Sequence, residues 1–154
     1  MSGGSGPQFG SSITEALAEA GATVISASRS IERNQAFTNR LREEGYDAHA
    51  MQLDITDPQS IENLGCEILN RFGRLDVLVN SAVVGRGGDF EEQTHDSWQF
   101  SASGNMSGLF AMCKTYIPSM VKQTRGSIIN ISSIYGVVGN DPTLYEGTDM
   151  KQPP

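Results

Sequence analysis

Two rhythms of apolar residues alternate along the chain. Short aliphatic runs at 22–27, 48–53, 75–80 and 127–133 are separated by stretches in which apolar residues recur every three or four positions. The runs show little polar/apolar alternation, as expected of strands covered on both faces. Between them, Ile13, Ala16, Leu17 and Ala20 predict a first helix, and Ile31, Phe37 and Leu41 a second. Ile61, Leu64, Ile68, Leu69 and Phe72 supply the apolar face of a third. The last is a long helix over 94–123, with Met106, Leu109, Phe110, Cys113, Ile117 and Met120 on one face. Strands alternating with crossover helices imply an α/β fold, a doubly wound parallel sheet in three α/β/α layers.

The punctuation agrees. Gly45 and Gly73 stand where helices should stop, and Asp57-Pro58 reads as an N-cap followed by proline at the first helical position. Pro118 should bend the long helix near its end. Residues 137–154 carry no further periodic element. The whole of 1–154 reads as one domain, in which no apolar strand precedes the glycines at 3–10. Without that central strand, two sheet edges are expected to lie open.

Composition narrows the function classes. With 38% hydrophobic and 19% charged residues, the chain is of ordinary globular make-up, and its net charge of -7 argues against nucleic acid or an anionic membrane as a partner. No apolar stretch approaches a membrane span and no secretory pattern opens the chain, so a cytoplasmic location is expected. Cys66 and Cys113 lack metal-ligand spacing and read as buried thiols. His49 and His95 suit solvated or capping roles and Trp98 a core or subunit contact; no metal site is predicted.

Candidate chemistry concentrates at strand ends, where open α/β sheets bind ligands. The opening run containing Gly3, Gly4, Ser5 and Gly10 leads into the first helix. Such a loop lets backbone N–H groups and the helix dipole approach a phosphate, although a merely flexible terminus has the same composition. Ser133 ends the 127–133 run, as a turn former or as a hydroxyl delivered to a reaction centre.

Taken together, these positions resemble the short-chain dehydrogenase/reductase family. The glycine run is similar to that family's Thr-Gly-x-x-x-Gly-x-Gly, Asp54 with Ile55 to its adenine-contacting aspartate, and Asn80-Ser81-Ala82 to its Asn-Asn-Ala-Gly. Asn105 resembles the family's active-site helix asparagine, and Ser133 its catalytic serine. The loop 82–92 and the tail 140–154 further resemble a gluconate 5-dehydrogenase-like or flagellin-modification oxidoreductase branch, associated with sugar acids and polyhydroxy substrates.

The resemblance implies a Rossmann-like dinucleotide-binding domain, incomplete as it stands, and hydride transfer between a nicotinamide cofactor and a small-molecule carbonyl or secondary alcohol. Ser133 and Asn105 would be catalytic; Gly3, Gly4, Ser5, Gly10, Ser28, Arg29, Asp54, Ile55, Asn80 and Ala82 would bind cofactor. Ser28 stands where the family's acidic ribose-binding residue would be, with Arg29 beside it. NADP is therefore expected, with NAD as the alternative. The family also implies a homo-oligomer.

Departures accompany the match. Ser2 or Gly3 replaces the family threonine, Gln8 displaces the middle glycine and Val83 stands for a later one. The family's Tyr-x-x-x-Lys motif is not found, since Asp149 lies four residues after Tyr145 and Lys151 six. The 154-residue chain alone is thus expected to be inactive. An inactive remnant with a nucleotide-binding or protein-interaction role is the alternative.

Overall fold

The computed structural model describes residues 1–4, 9–85, 90–139 and 141–148. Helix α1 (Phe9–Glu19) leads to strand β1 (Val24–Ser28), helix α2 (Ile31–Glu43) and strand β2 (Ala48–Gln52). Helix α3 (Pro58–Phe72) and strand β3 (Val77–Asn80) follow. A 3-10 turn (Phe90–Glu92) precedes α4 (His95–Ala102), a π-helical turn (Ser103–Gly108), α5 (Leu109–Lys122) and β4 (Ser127–Asn130). Two more 3-10 turns cover Ile134–Gly136 and Pro142–Tyr145. The predicted helix signals act as expected: Asp57 accepts from Gln59 N with Pro58 behind it, and Gly73 closes α3 at φ 75°.

Strands β1 and β2 pair in parallel from Val24↔Ala48 to Ser28↔Gln52, and β3 and β4 from Val77↔Ser127 to Asn80↔Asn130. The expected gap between the pairs is closed at one level by the first two residues. Ser2 bridges in parallel to both Ala27 and Asn80. Its amide donates to Val79 O at 3.0 Å, while Ala27 N donates to Met1 O at 2.9 Å and Gly3 N to Ala27 O at 2.8 Å. Met1 N adds a bond to Ile25 O at 2.7 Å. Two residues therefore stand in the central position that the sequence left empty, because their backbone groups reach partners on both sides.

Helices cover the two faces of this assembly. On one, α3 and α5 bury Ile61, Leu64, Ile68, Met112, Tyr116 and Met120 against Met51, Leu53 and Leu78. On the other, α1 and α2 bury Ala18 and Leu41 against Val24 and Ala48. That second layer is unusually polar, with Thr14, Ser26, Asn34 and Thr38 all buried.

Several sequence expectations need correction. The long helix is not uniform: a π-helical turn separates α4 from α5, although the chain continues through Pro118 to Lys122. The buried stripe runs Gly108, Met112, Tyr116, Met120, whereas Met106, Phe110 and Ile117 are exposed. Gly108 decides this. A Cβ there would fall 2.2 Å from Ile55 O, so this is the face that can approach the sheet. Strand β4 is not covered on both faces, since Ile129 is 43% exposed, and among the described residues it pairs only with β3, which leaves its other edge open. Trp98 is 63% exposed and so not a core residue, and Cys66 is exposed, Cys113 half-buried and neither in a disulfide. Among the described residues, no helix is long and apolar enough to cross a membrane.

Candidate active site

The carboxyl ends of β1, β3 and β4 open onto one cleft of about 890 Å³, within the size range of small-molecule sites. Ser2, Gly3 and Gly10 line it, and Gly4 does not. Gly3 holds φ 69°, and a Cβ on it would lie 3.0 Å from Ala82 Cα. A Cβ on Gly10 would fall 2.1 Å from Gly3 O, and one on Gly4 2.8 Å from Ser26 Oγ. Gly3 and Gly10 are thus required by close approach to backbone, whereas a Cβ on Gly4 would meet the side chains of Ser26, Thr14 and Met1. Ser5 lies outside the described residues. Ser2 Oγ ties the turn to the next loop, accepting from Ser81 N at 3.1 Å and Ala82 N at 3.3 Å.

At the β1 end, Ser28 and Arg29 line the cleft together with Ser30 and Arg33. Leu53 and Ile55 line its apolar wall. Asp54 does not; it borders an adjoining depression that it shares with Arg29, Asp57 and Glu67. Its Oδ1 accepts from Thr56 N at 2.8 Å and Thr56 Oγ1 at 2.7 Å. Burial pushes the Asp54 carboxyl up, but these two bonds and the charge of Arg29 outweigh it and hold the group below the usual carboxylate range.

The β3 end contributes Asn80 and Ala82. Asn80 Nδ2 donates to Asn130 Oδ1 at 2.9 Å, which joins the two strands of the pair through their side chains. Its own Oδ1 is buried without a hydrogen-bond partner. Asn105 sits in the π-helical turn, a device frequent at functional sites. It brackets Val84, accepting from Val84 N at 2.9 Å and donating to Val84 O at 2.7 Å. Ser133 follows β4, exposed, and its Oγ accepts from Tyr135 N at 3.2 Å. Asn105 and Ser133 both line the cleft. Nearby, the Tyr135 and Tyr145 hydroxyls are in direct contact, and that bond raises the Tyr145 pKa above its ordinary value.

Sequence reasoning brought together most of these residues but missed three features. In the sequence Ser2 reads only as a candidate replacement for the family threonine, and neither Arg33 nor Asn34 is singled out. Only the spacing of Asn34 with Thr38 and Leu41, one face of α2, signalled burial.

A family model described as short chain dehydrogenase matches residues 3–145. The chain belongs to the short-chain dehydrogenase/reductase family. It is 33% identical over 133 residues to the 3-oxoacyl-[acyl-carrier-protein] reductase FabG of Staphylococcus aureus, covering 86% of this chain and 54% of that protein. With the Escherichia coli reductase of the same name it shares 34% over 132 residues, covering 86% and 53%. The chain thus spans about half the length of the curated relatives it matches. A metagenomic short-chain oxidoreductase in complex with NADP superposes with a TM-score of 0.82 at 29% identity, covering 91% of this chain and 62% of the other. An actinorhodin polyketide ketoreductase variant with NADPH gives 0.84 at 29%, covering 90% and 54%. The fold is accordingly the Rossmann-type α/β fold of short-chain dehydrogenases.

The cleft suits a nicotinamide dinucleotide on its own chemistry. It combines a glycine turn whose Gly3 and Gly10 admit no Cβ, an unpartnered buried carbonyl on Asn80 and two cleft-lining arginines at one end. Among the described residues, no cluster of His, Cys, Asp and Glu could hold a metal ion.

Proposed function

We propose that this chain is the cofactor-binding part of an NADP(H)-dependent oxidoreductase that interconverts a carbonyl and a secondary alcohol. The observation that carries the reading is the single cleft lined by Gly3, Gly10, Ser28, Arg29, Asn80, Ala82, Asn105 and Ser133. When bound, the nicotinamide supplies or accepts the hydride. Gly3, Gly4, Ser5 and Gly10 receive the diphosphate at the N-terminus of α1, where backbone N–H groups and the helix dipole favour an anion. Asp54 holds the turn beside Ile55 at the adenine end, fixing it through Thr56. Asn80 and Ala82, which line the cleft at the β3 end, would hold the nicotinamide end.

Ser133 aims its hydroxyl at the substrate oxygen, where negative charge grows as the hydride arrives; donors placed at such a charge lower the barrier. Asn105 orders a proton-relay water by fixing the Val84 loop. A tyrosine tuned by a lysine is the proton donor in this chemistry. Tyr145 is a poor stand-in, because its contact with Tyr135 raises its pKa. The 154 residues alone are therefore expected to show no turnover, and the substrate is a sugar acid or polyol on the resemblance of 82–92 and 140–154. The named relatives act on 3-oxoacyl groups carried by acyl carrier protein, which makes such thioesters the natural competitor substrates to assay.

Exposed Met106 in the π-helical turn and Phe110, Ile117 and Val121 on α5 form an apolar stripe. We assign it to a homo-oligomer contact, and the location to the cytoplasm.

The test is equilibrium binding of NADPH and NADH to the chain, followed by fluorescence. Tenfold or greater preference for NADPH is expected, and its loss in Arg29→Ala. Equal binding of the two cofactors, or no binding, overturns the NADP reading.

A further inference from the structure

We propose that Arg33, in the first turn of α2, is the second arm of the site that distinguishes a 2′-phosphorylated dinucleotide from its unphosphorylated counterpart, and that the serine hydroxyls beside it donate no bond to the phosphate. The inference rests on the NADP(H) reading above and adds a residue to it.

The serines come first because they look like natural phosphate donors. Ser28 and Ser30 both line the cleft. A hydroxyl has one proton to give, and both are engaged within the protein. Ser28 Oγ donates to Asn34 Oδ1 at 3.1 Å, with Ser30 O a longer alternative at 3.4 Å. Asn34 is fully buried and held on its other side, where Nδ2 donates to Met51 O at 2.8 Å. Its carbonyl also accepts from Ser26 Oγ at 3.1 Å, so the acceptor cannot swing away to release Ser28. Ser30 Oγ donates to Glu32 Oε2 at 3.0 Å and accepts the capping bond from Arg33 N at 3.2 Å. What both hydroxyls offer the cleft is lone pairs, which repel phosphate oxygens and suit a ribose hydroxyl.

Recognition of a phosphate at this end then falls to guanidinium groups. Arg29 faces two ways: it lines the cleft, and it also borders the depression containing Asp54, Asp57 and Glu67. The Asp54 carboxyl feels its charge. Part of its field is therefore spent on neighbouring carboxylates before any ligand arrives. Arg33 borders only the cleft of the two. Among the described residues, neither arginine lies within ion-pair distance of a carboxylate, whereas Arg40, Arg71, Arg74 and Arg125 do. In a chain of net charge -7, two arginines without ion pairs on one cleft are a local positive field that a dianion would complete.

The experiment measures dissociation constants for NADPH and NADH on the 154-residue chain and on Arg33→Ala, Arg29→Ala and Ser28→Ala. Arg33 is exposed and donates only its backbone N–H to a cap, so its truncation should leave the melting temperature unchanged. Arg33→Ala is expected to weaken NADPH about tenfold and NADH less than twofold, and Ser28→Ala to weaken NADPH far less than Arg33→Ala does. Raising the salt concentration should erode the wild-type preference and have less effect on that of Arg33→Ala. If Arg29→Ala abolishes the NADPH preference while Arg33→Ala does not change it, the inference fails and the NADP(H) reading stands. A tenfold loss of NADPH in Ser28→Ala also overturns the inference. If wild type does not prefer NADPH, both fall.

Discussion

Asn105 holds Val84 as a strand would, taking the proton of its amide at 2.9 Å and giving one to its carbonyl at 2.7 Å. The pairing explains the π-helical turn. Gly104 lies against Val84, where a Cβ would meet Val84 Cγ2 at 2.1 Å, and Gly108 lies against Ile55 O. Widening the helix between these two contacts lets the asparagine amide face backbone rather than solvent.

An Asp at position 105 keeps the acceptor but loses the donor, so Asn105→Asp should leave Val84 O unpaired and set two oxygens against each other. The expected cost is about 1–3 kcal/mol in urea unfolding, the range for a buried group left unsatisfied. Faster hydrogen exchange at Val84 N–H should accompany Asn105→Ala. Unchanged stability and exchange in both variants would remove Asn105 from the architecture of the loop.

Gly10 makes a sharper demand. An added methyl would meet Gly3 O at 2.1 Å, a backbone atom held in turn by the bonds at Ser2 and Ala27. Gly10→Ala should destabilise by roughly 1–3 kcal/mol, as overpacking does, and lose NADPH binding with it. Gly136→Ala is the control. Its nearest neighbour would be Ser132 Oγ at 3.8 Å, ordinary contact, and no change beyond about 0.5 kcal/mol is expected.

Much of this was legible beforehand, for physical reasons. Strand ends are marked by abrupt changes from aliphatic to polar residues, and the cleft follows from where those ends fall. The role of Met1 and Ser2 was not legible, because two residues carry no periodicity and their bonds are all to backbone far along the chain. The orientation of α5 was hidden for another reason. Its apolar residues occupy two stripes, and a glycine, which carries no hydrophobic signal, selects which one is buried. The polar layer around Asn34 was missed because hydroxyl and amide side chains read as surface until their partners are known.

The unselected stripe has a consequence of its own. Met106 in the π-helical turn and Phe110, Ile117 and Val121 along α5 are exposed, and an apolar face of this kind marks an interaction surface. The chain should sediment as an oligomer at micromolar concentration, and Phe110→Lys with Ile117→Asp should shift it to monomer without unfolding it. A wild-type chain that is monomeric at every accessible concentration would contradict the assignment.

Asp54 gives a pH dependence with a definite sign. Its folded pKa is depressed below the ordinary value of 3.8, so its contribution to stability is complete above that pH and is lost as pH falls through the lower, folded value. Asp54→Ala should therefore be less stable than wild type at neutral pH, by about 1 kcal/mol for two partly exposed bonds to Thr56. The difference should shrink below about pH 4. A gap that is constant from neutral to acid pH would assign the effect to packing instead.

The last expectation concerns turnover by the 154 residues themselves. Proton transfer from a tuned donor is worth roughly a hundred- to ten-thousandfold, and the tyrosine nearest Ser133 along the chain, Tyr135, is committed to Tyr145. That contact raises the Tyr145 pKa, the opposite of what a donor cycling near neutral pH requires. Neither tyrosine lines the cleft. NADPH oxidation should be indistinguishable from the enzyme-free rate with keto sugars, keto acids and 3-oxoacyl thioesters alike, even where fluorescence reports bound cofactor. Measurable turnover that disappears in Tyr145→Phe, with cofactor binding intact, would make Tyr145 the proton donor and the chain a self-sufficient enzyme.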